Sequence, residues 1–186
     1  MSISSKPEII GLAGTFASGK DTLAKRLVAD FGYTHVSTSD LVRKVAQQER
    51  GSIERPVLFE VATKHRQADG AGYFAELALQ SEKPLIVSGL RSLGEMRTVR
   101  QAGGVIVFVD APVEMRYERM KARERDAEAV LTLEQFRANE EKEMYSGPND
   151  ADFNLGQIKA EADVVIENSV TLESFLAECY ARLGLN

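Results

Sequence analysis

The sequence predicts an α/β fold, a parallel β-sheet covered on both faces by helices. Three observations predict it. Short apolar runs alternate with helical patterns along the whole chain, the pattern of parallel strands joined by right-handed crossovers. The first apolar run leads through a glycine-rich turn into a helix, GLAGTFASGKDTLAKRL. Finally, 186 residues with 44% apolar and 27% charged side chains suit one folded domain of ordinary size.

Each element follows from its local pattern. Residues 9–13 (IIGLA) read as a buried parallel strand. Residues 21–31 place Leu23, Leu27 and Val28 at helical spacing and stop before Gly32. Residues 33–37 form a second short strand. Thr38, Ser39 and Asp40 offer caps for a helix over 41–50, which Gly51 closes. The stretch 52–80 is less regular and reads as two helices, 56–67 and 72–81, parted by the Asp69-Gly70 turn signal. A third strand spans 84–88, with proline at its first position. Helix 93–102 ends at Gly103-Gly104, and 105–109 (VIVFV) is the most apolar strand. Pro112 opens a long charged helix. Thr132 caps a helix over 132–145, residues 147–156 form a polar loop, 162–166 is the fifth strand, and 171–183 is the closing helix. The chain shows no internal repeat and no low-complexity tract.

Composition excludes several function classes. A net charge of −5, without a basic stripe interleaved with aromatics, argues against a nucleic-acid partner. No apolar run is long enough to span a bilayer, so no membrane partner is expected. MSISSKPE lacks the apolar core of a signal peptide, and the single cysteine, Cys179, cannot form an internal disulfide. A cytoplasmic location is the expectation. His35 and His65 lack ligand spacing and, with Cys179, read as structural. The sequence leaves monomer and homodimer open.

Gly14, Gly19 and Lys20 match the phosphate-cradling pattern G-x-x-x-x-G-K between a strand and a helix, the context that motif requires. Glycines let backbone N–H groups turn toward one point, and the helix N-terminus adds partial positive charge. Ala17 and Ser18 complete the loop, and Lys20 is placed to reach the β- and γ-phosphates of a nucleotide. The hydroxyl that usually follows the lysine and ligates Mg²⁺ is displaced by one. Asp21 stands in its place and Thr22 is the nearest hydroxyl. Asp21 reads as a first-turn acid stabilised by the helix dipole, and Thr22 as the metal candidate.

Several segments carry a resemblance to a known superfamily. G-K-D-T at residues 19–22 resembles the G-K-G-T of adenylate-kinase-like enzymes and the loop of some deoxynucleoside monophosphate kinases. HVSTSDLVRK, residues 35–44, looks like their S-T-G-D-L-L-R segment. SGLRS, residues 88–92, is similar to their D-G-x-R segment, and EADVVIENS, residues 161–169, resembles A-D-x-V-I-x-N of dephospho-CoA kinases. The resemblance covers nearly the whole chain. It implies a three-layer α/β/α P-loop kinase fold, a five-stranded parallel sheet of order 2-3-1-4-5, and a single domain over residues 1–186. It further implies an acceptor-binding helical insertion over about 38–82 and a lid over about 116–133.

On that resemblance, ATP and Mg²⁺ are the expected cofactors and a small phosphate acceptor the expected partner. Thr38, Asp40, Arg43, Arg66 and Arg91 are candidates for the acceptor site. Asp40 either orients or deprotonates the acceptor or caps its helix. The superfamily's strand-end aspartate is Ser88 here, which leaves Asp110 as a candidate metal ligand by position. Arg119 and Arg123, spaced i, i+4, are lid candidates that would neutralise the transferring phosphoryl group together with Lys20 and Arg91. Arg125 is a third lid candidate, and Arg116 and Lys121 are weaker ones. The same helix also reads as a salt-bridged surface helix, since Glu114, Glu118, Glu124 and Asp126 are interleaved. Asn168 either approaches the base or forms a turn. Phe136, Tyr145 and Phe153 read as packing residues, with a base pocket as the other option. The expected activity is transfer of the ATP γ-phosphoryl group to a (deoxy)nucleoside monophosphate. Dephospho-CoA is the alternative acceptor, and a non-catalytic nucleotide-binding regulator is the alternative of another class, suggested by Ser88.

Overall fold

The computed structural model describes residues 3, 5–122 and 131–185. Five parallel strands, β1 (Ile9–Gly14), β2 (Thr34–Ser37), β3 (Leu85–Ser88), β4 (Val105–Asp110) and β5 (Val164–Glu167), form one sheet in the order β2-β3-β1-β4-β5. This is the order the superfamily resemblance implies. Around the sheet lie α1 (Lys20–Phe31), α2 (Thr38–Arg50), α3 (Arg55–Ala68), α4 (Tyr73–Ala78) and α5 (Leu93–Gln101). The second half of the chain adds α6 (Val113–Ala122), α7 (Leu133–Met144), α8 (Leu155–Glu161) and α9 (Leu172–Arg182).

Strand periodicity divides the core in two. In β1, Ile10 and Leu12 face one layer with Val107, Val109 and Ile166, against Leu23 and Leu27 of α1 and Phe175 and Cys179 of α9. Ile9 and Ala13 face the other with Leu85, Val87 and Phe108, against Met96 and Val99 of α5 and Ile158 of α8. A small third cluster, Val42, Ala62 and Phe74, holds α2, α3 and α4 together.

Three boundaries differ from the sequence expectation for identifiable reasons. Helix α2 starts at Thr38 because Ser37, the last strand residue, supplies the cap by accepting from the Asp40 amide. Thr38, Ser39 and Asp40 are therefore its first turn. Strand β1 runs on to Gly14, which pairs with Val109. A Cβ there would sit 2.2 Å from the Val109 carbonyl oxygen, at φ 151°, so only glycine lets the two strand ends approach. Helix α8, within a stretch read as loop up to residue 156, is short but capped by Asn154, and it buries Leu155 and Ile158 one turn apart.

Candidate active site

The strand order brings the C-terminal ends of β1, β3 and β4 side by side, and ligands bind at that edge in open parallel sheets. The β1–α1 loop is built by backbone conformation. Ala17 takes φ 60° and Gly19, the residue before α1, takes φ 104°. Left-handed residues alternating with ordinary ones, as at Ala17 and Gly19, aim amides into one concavity. Gly19 is also held by packing, since a Cβ there would lie 2.3 Å from Asn168 Nδ2. The Ser18 hydroxyl is buried with no hydrogen-bond partner among the described residues, a polar group in the wall of the loop. The Lys20 side chain is 16% exposed, and its ammonium lies 3.9 Å from the Asp21 carboxylate. Thr22 lines a cavity of about 380 Å³ with Gly19, Arg119, Asn168, Val170 and Leu172.

Two braces hold this loop from behind. Asn168 Nδ2 donates to the Ser18 carbonyl at 2.8 Å, and Arg119 Nη2 donates to the Asn168 carbonyl at 3.0 Å. Asn168 therefore fixes the loop, and Arg119 forms a wall of the cavity. The second brace is Asp110. Its carboxylate accepts from Thr15 Oγ1 at 2.7 Å, from Lys159 Nζ at 2.5 Å and from the Ala111 amide at 2.9 Å. Burial pushes its pKa up, but hydrogen bonds from Lys159, Thr15 and the Ala111 amide outweigh that and hold it below the ordinary carboxylate value. Through these three bonds Asp110 ties the loop to β4 and α8. No group of three or more His, Cys, Asp or Glu among the described residues is arranged to hold a metal ion. A Mg²⁺ ion accompanying a nucleotide would be held by the Thr22 hydroxyl beside the loop, with phosphate oxygens and water completing its shell. That coordination suits this ion.

Sequence reasoning undervalued Arg116. It is buried beside Asp110, with Nε donating to the Ala111 carbonyl at 2.7 Å and Nη1 to the loop carbonyl of Phe16 at 3.4 Å. Glu140 of α7 pairs with its Nη2 at 2.6 Å. Arg123 and Arg125 lie outside the described residues.

On the β3 side, the three expected acceptor arginines separate. Arg43 is exposed on the first turns of α2, bonded to Asp40 at 2.8 Å and Ser39 at 3.0 Å. Arg66 is 9% exposed and pairs at 2.9 Å with Glu95, whose side chain is fully buried. Its guanidinium lies 5.8 Å from the Phe74 ring centroid and 5.5 Å from that of Phe153. This pairing holds Arg66 in a largely buried position, with its Nε unbonded among the described residues. The buried Thr38 hydroxyl donates to the Gly89 carbonyl at 2.9 Å and ties α2 to the turn after β3.

Arg91 remains partly open. Its guanidinium also lies over the Phe153 ring, 5.4 Å from the centroid, and bonds Glu143 at 2.5 Å. Glu95, which sequence reasoning missed, organises this corner. It accepts from the amides of Arg91 at 2.9 Å and Ser92 at 3.3 Å and completes a capping box with Ser92. Ser-x-x-Glu at 92–95 carried that signal. Ser88, in place of the superfamily's aspartate, shares a 2.7 Å hydrogen bond with His35 Nε2. Burial of the His35 ring outweighs the pull of Asp21 and Asp40 and keeps its pKa below the ordinary value, so the imidazole is neutral at pH 7.

The comparisons agree with this geometry. A family model described as an AAA domain matches residues 10–145. A UPF0200 protein of Hyperthermus butylicus is 32% identical over 183 residues, covering 95% of this chain and 93% of the relative. Among solved structures, shikimate kinase from Bacteroides thetaiotaomicron superposes with a TM-score of 0.65 at 12% identity, covering 96% of this chain and 99% of that one. A gluconokinase from Sinorhizobium meliloti 1021 superposes with a TM-score of 0.57 at 15% identity, covering 97% and 93%. At such identities the structural likeness is one of fold, and that fold is kinase-like and built on a P-loop.

Proposed function

The chain belongs to the AAA-domain family and to the UPF0200 proteins, and from that premise we propose that it is an ATP-dependent phosphotransferase acting on a small anionic acceptor, a (deoxy)nucleoside monophosphate. One observation carries the reading. A phosphate loop with left-handed Ala17 and Gly19 stands beside a strand end that presents a partly open arginine, Arg91. The first feature suits a nucleotide's phosphates and the second suits another phosphate, because a guanidinium fork matches phosphate oxygens.

In this reading the loop amides, the Ser18 hydroxyl and Lys20 bind the donor phosphates, and the cavity beside Thr22 takes the rest of the nucleotide. Mg²⁺, held by Thr22, would supply charge neutralisation between the phosphates. Asp110, Arg116 and Asn168 position the loop from behind. Arg91, with Arg43 exchanging its surface partner Asp40, seats the acceptor. Helices α2 to α4, within about 38–82, serve as the acceptor-side insertion. The segment 116–133, with Arg119 and Arg123, serves as the lid that excludes water. The chemistry is mainly positioning and electrostatic stabilisation.

A second reading, a hydroxyl acceptor such as dephospho-CoA, is favoured by Asp40. Its carboxylate is 74% exposed on the first turn of α2 and pairs only at the surface, so it is available as a base.

The test is ADP release from ATP·Mg²⁺ across a panel of ribo- and deoxynucleoside monophosphates and dephospho-CoA. Release that depends on one monophosphate supports the first reading, and release with dephospho-CoA alone supports the second. Lys20→Ala is expected to lower turnover by about 10²-fold or more while leaving the melting temperature in place. Undiminished turnover by that variant would overturn the donor-site assignment.

A further inference from the structure

Three residues on one face of α7 reach three different parts of the site. Phe136, Glu140 and Glu143 are spaced i, i+4 and i+7. Phe136 packs against Phe16 of the phosphate loop, with ring centroids 6.0 Å apart. Glu140 pairs with Arg116, and Glu143 with Arg91. The two ion pairs are unequal. Arg116 and Glu140 have side chains 5% and 20% exposed, whereas Arg91 and Glu143 stand at 35% and 26%.

Arg91 is held in place independently of Glu143. Its amide donates to Glu95, its carbonyl accepts from the Asn154 amide at 2.8 Å, and its guanidinium rests on the Phe153 ring. The arginine is thus fixed, and its pair with the carboxylate is only partly buried. A carboxylate and a phosphate occupy a guanidinium fork in the same way, so one replaces the other without rebuilding the site. A group of two negative charges gains more from the exchange than a group of one.

We infer that Glu143 is a selectivity residue of the acceptor site, an internal competitor that holds the anion position on Arg91 and yields it to the acceptor's phosphate while excluding monoanionic ligands. The inference rests on the reading of Arg91 as the acceptor ligand. Helix α7 keeps its other two anchors, Phe136 and Glu140, when Glu143 is changed, so Glu143→Gln leaves the helix in place.

The experiment is calorimetric titration of the full chain, first with ADP·Mg²⁺ to fill the phosphate loop and then with inorganic phosphate. Glu143→Gln is expected to bind phosphate about tenfold more tightly than the unmodified protein. Glu141→Gln removes the same charge from an exposed position of the same helix and is expected to stay within about twofold. Adding Arg91→Ala to Glu143→Gln is expected to cancel the gain. An equal gain from Glu141→Gln, a gain that survives Arg91→Ala, or no gain at all overturns the inference while leaving the kinase reading standing. Failure of the unmodified protein to bind ADP overturns the kinase reading, and the inference with it.

Discussion

The proposed donor and acceptor sides of the cleft are held by different forces. On the donor side, backbone conformation and close contact set the shape, through Gly14 against Val109, Gly19 against Asn168, and a left-handed Ala17. On the acceptor side, ion pairs between distant segments set it. Phe153 meets two arginines there, and their partners differ in burial. Arg66 meets a fully buried Glu95, and Arg91 meets a part-exposed Glu143. A buried pair cannot exchange its partner without leaving a charge unpaired out of water, whereas a half-exposed pair can. The same residue type against one ring is therefore locked with its partner in one case and open to exchange in the other.

The largest expected effect tests the donor side. Gly19→Val forces a branched side chain into φ 104° and against Asn168, and ADP affinity is expected to fall by about 10²-fold or more in calorimetry. Near-normal affinity would show that the nest tolerates a side chain and would break the contrast between the two sides. Next comes the buried pair. Glu95→Ala strands Arg66 and two amides, so it is expected to cost about 3 kcal/mol, or about 6–12 °C of melting temperature at this chain length. Glu143→Ala is expected to cost about 1 kcal/mol or less, because its pair is partly exposed. Equal losses for the two would erase the distinction between Arg66 and Arg91.

The smallest effect concerns the insertion. His65 of α3 lies between Glu49 of α2, at 2.7 Å, and Asp69, at 2.6 Å, and stacks on Tyr73 at 4.8 Å. Lys64 bonds the same Glu49, and Phe74 meets the ring edge-on. Burial lowers the His65 pKa, but hydrogen bonds to Asp69 and Glu49 outweigh it and raise the value above 6.5. A raised folded-state pKa gives stability that is fully present below the unfolded value and is lost as pH rises through the folded one. The melting temperature is therefore expected to fall by roughly 2 °C more between pH 6 and pH 8 in the unmodified protein than in His65→Gln. Parallel melting curves for the two would remove the clamp.

Much of the donor side was legible in the sequence. G-x-x-x-x-G-K between a strand and a helix names its own geometry, because glycine permits what other residues resist. The strands were legible as well, since buried parallel strands must be apolar on both faces, as in VIVFV. The acceptor side was legible only as residue types. Arg43, Arg66 and Arg91 look alike in sequence, and only their partners distinguish them. Asp110 stood at the right strand end for a metal ligand, and its bond from Lys159, 49 residues further on, was not legible there.

The sequence by itself determined the α/β alternation, the phosphate loop, and caps such as Ser92 with Glu95 and Thr132 with Gln135. Each of these is decided by sterics, periodicity or hydrogen bonds within a few residues. Tertiary structure alone decided which charges face each other. Arg66 finds Glu95 across 29 residues, and Arg91 finds Glu143 across 52. Whether an arginine is locked or open depends on how deeply folding buries its partner, and no local pattern records that depth.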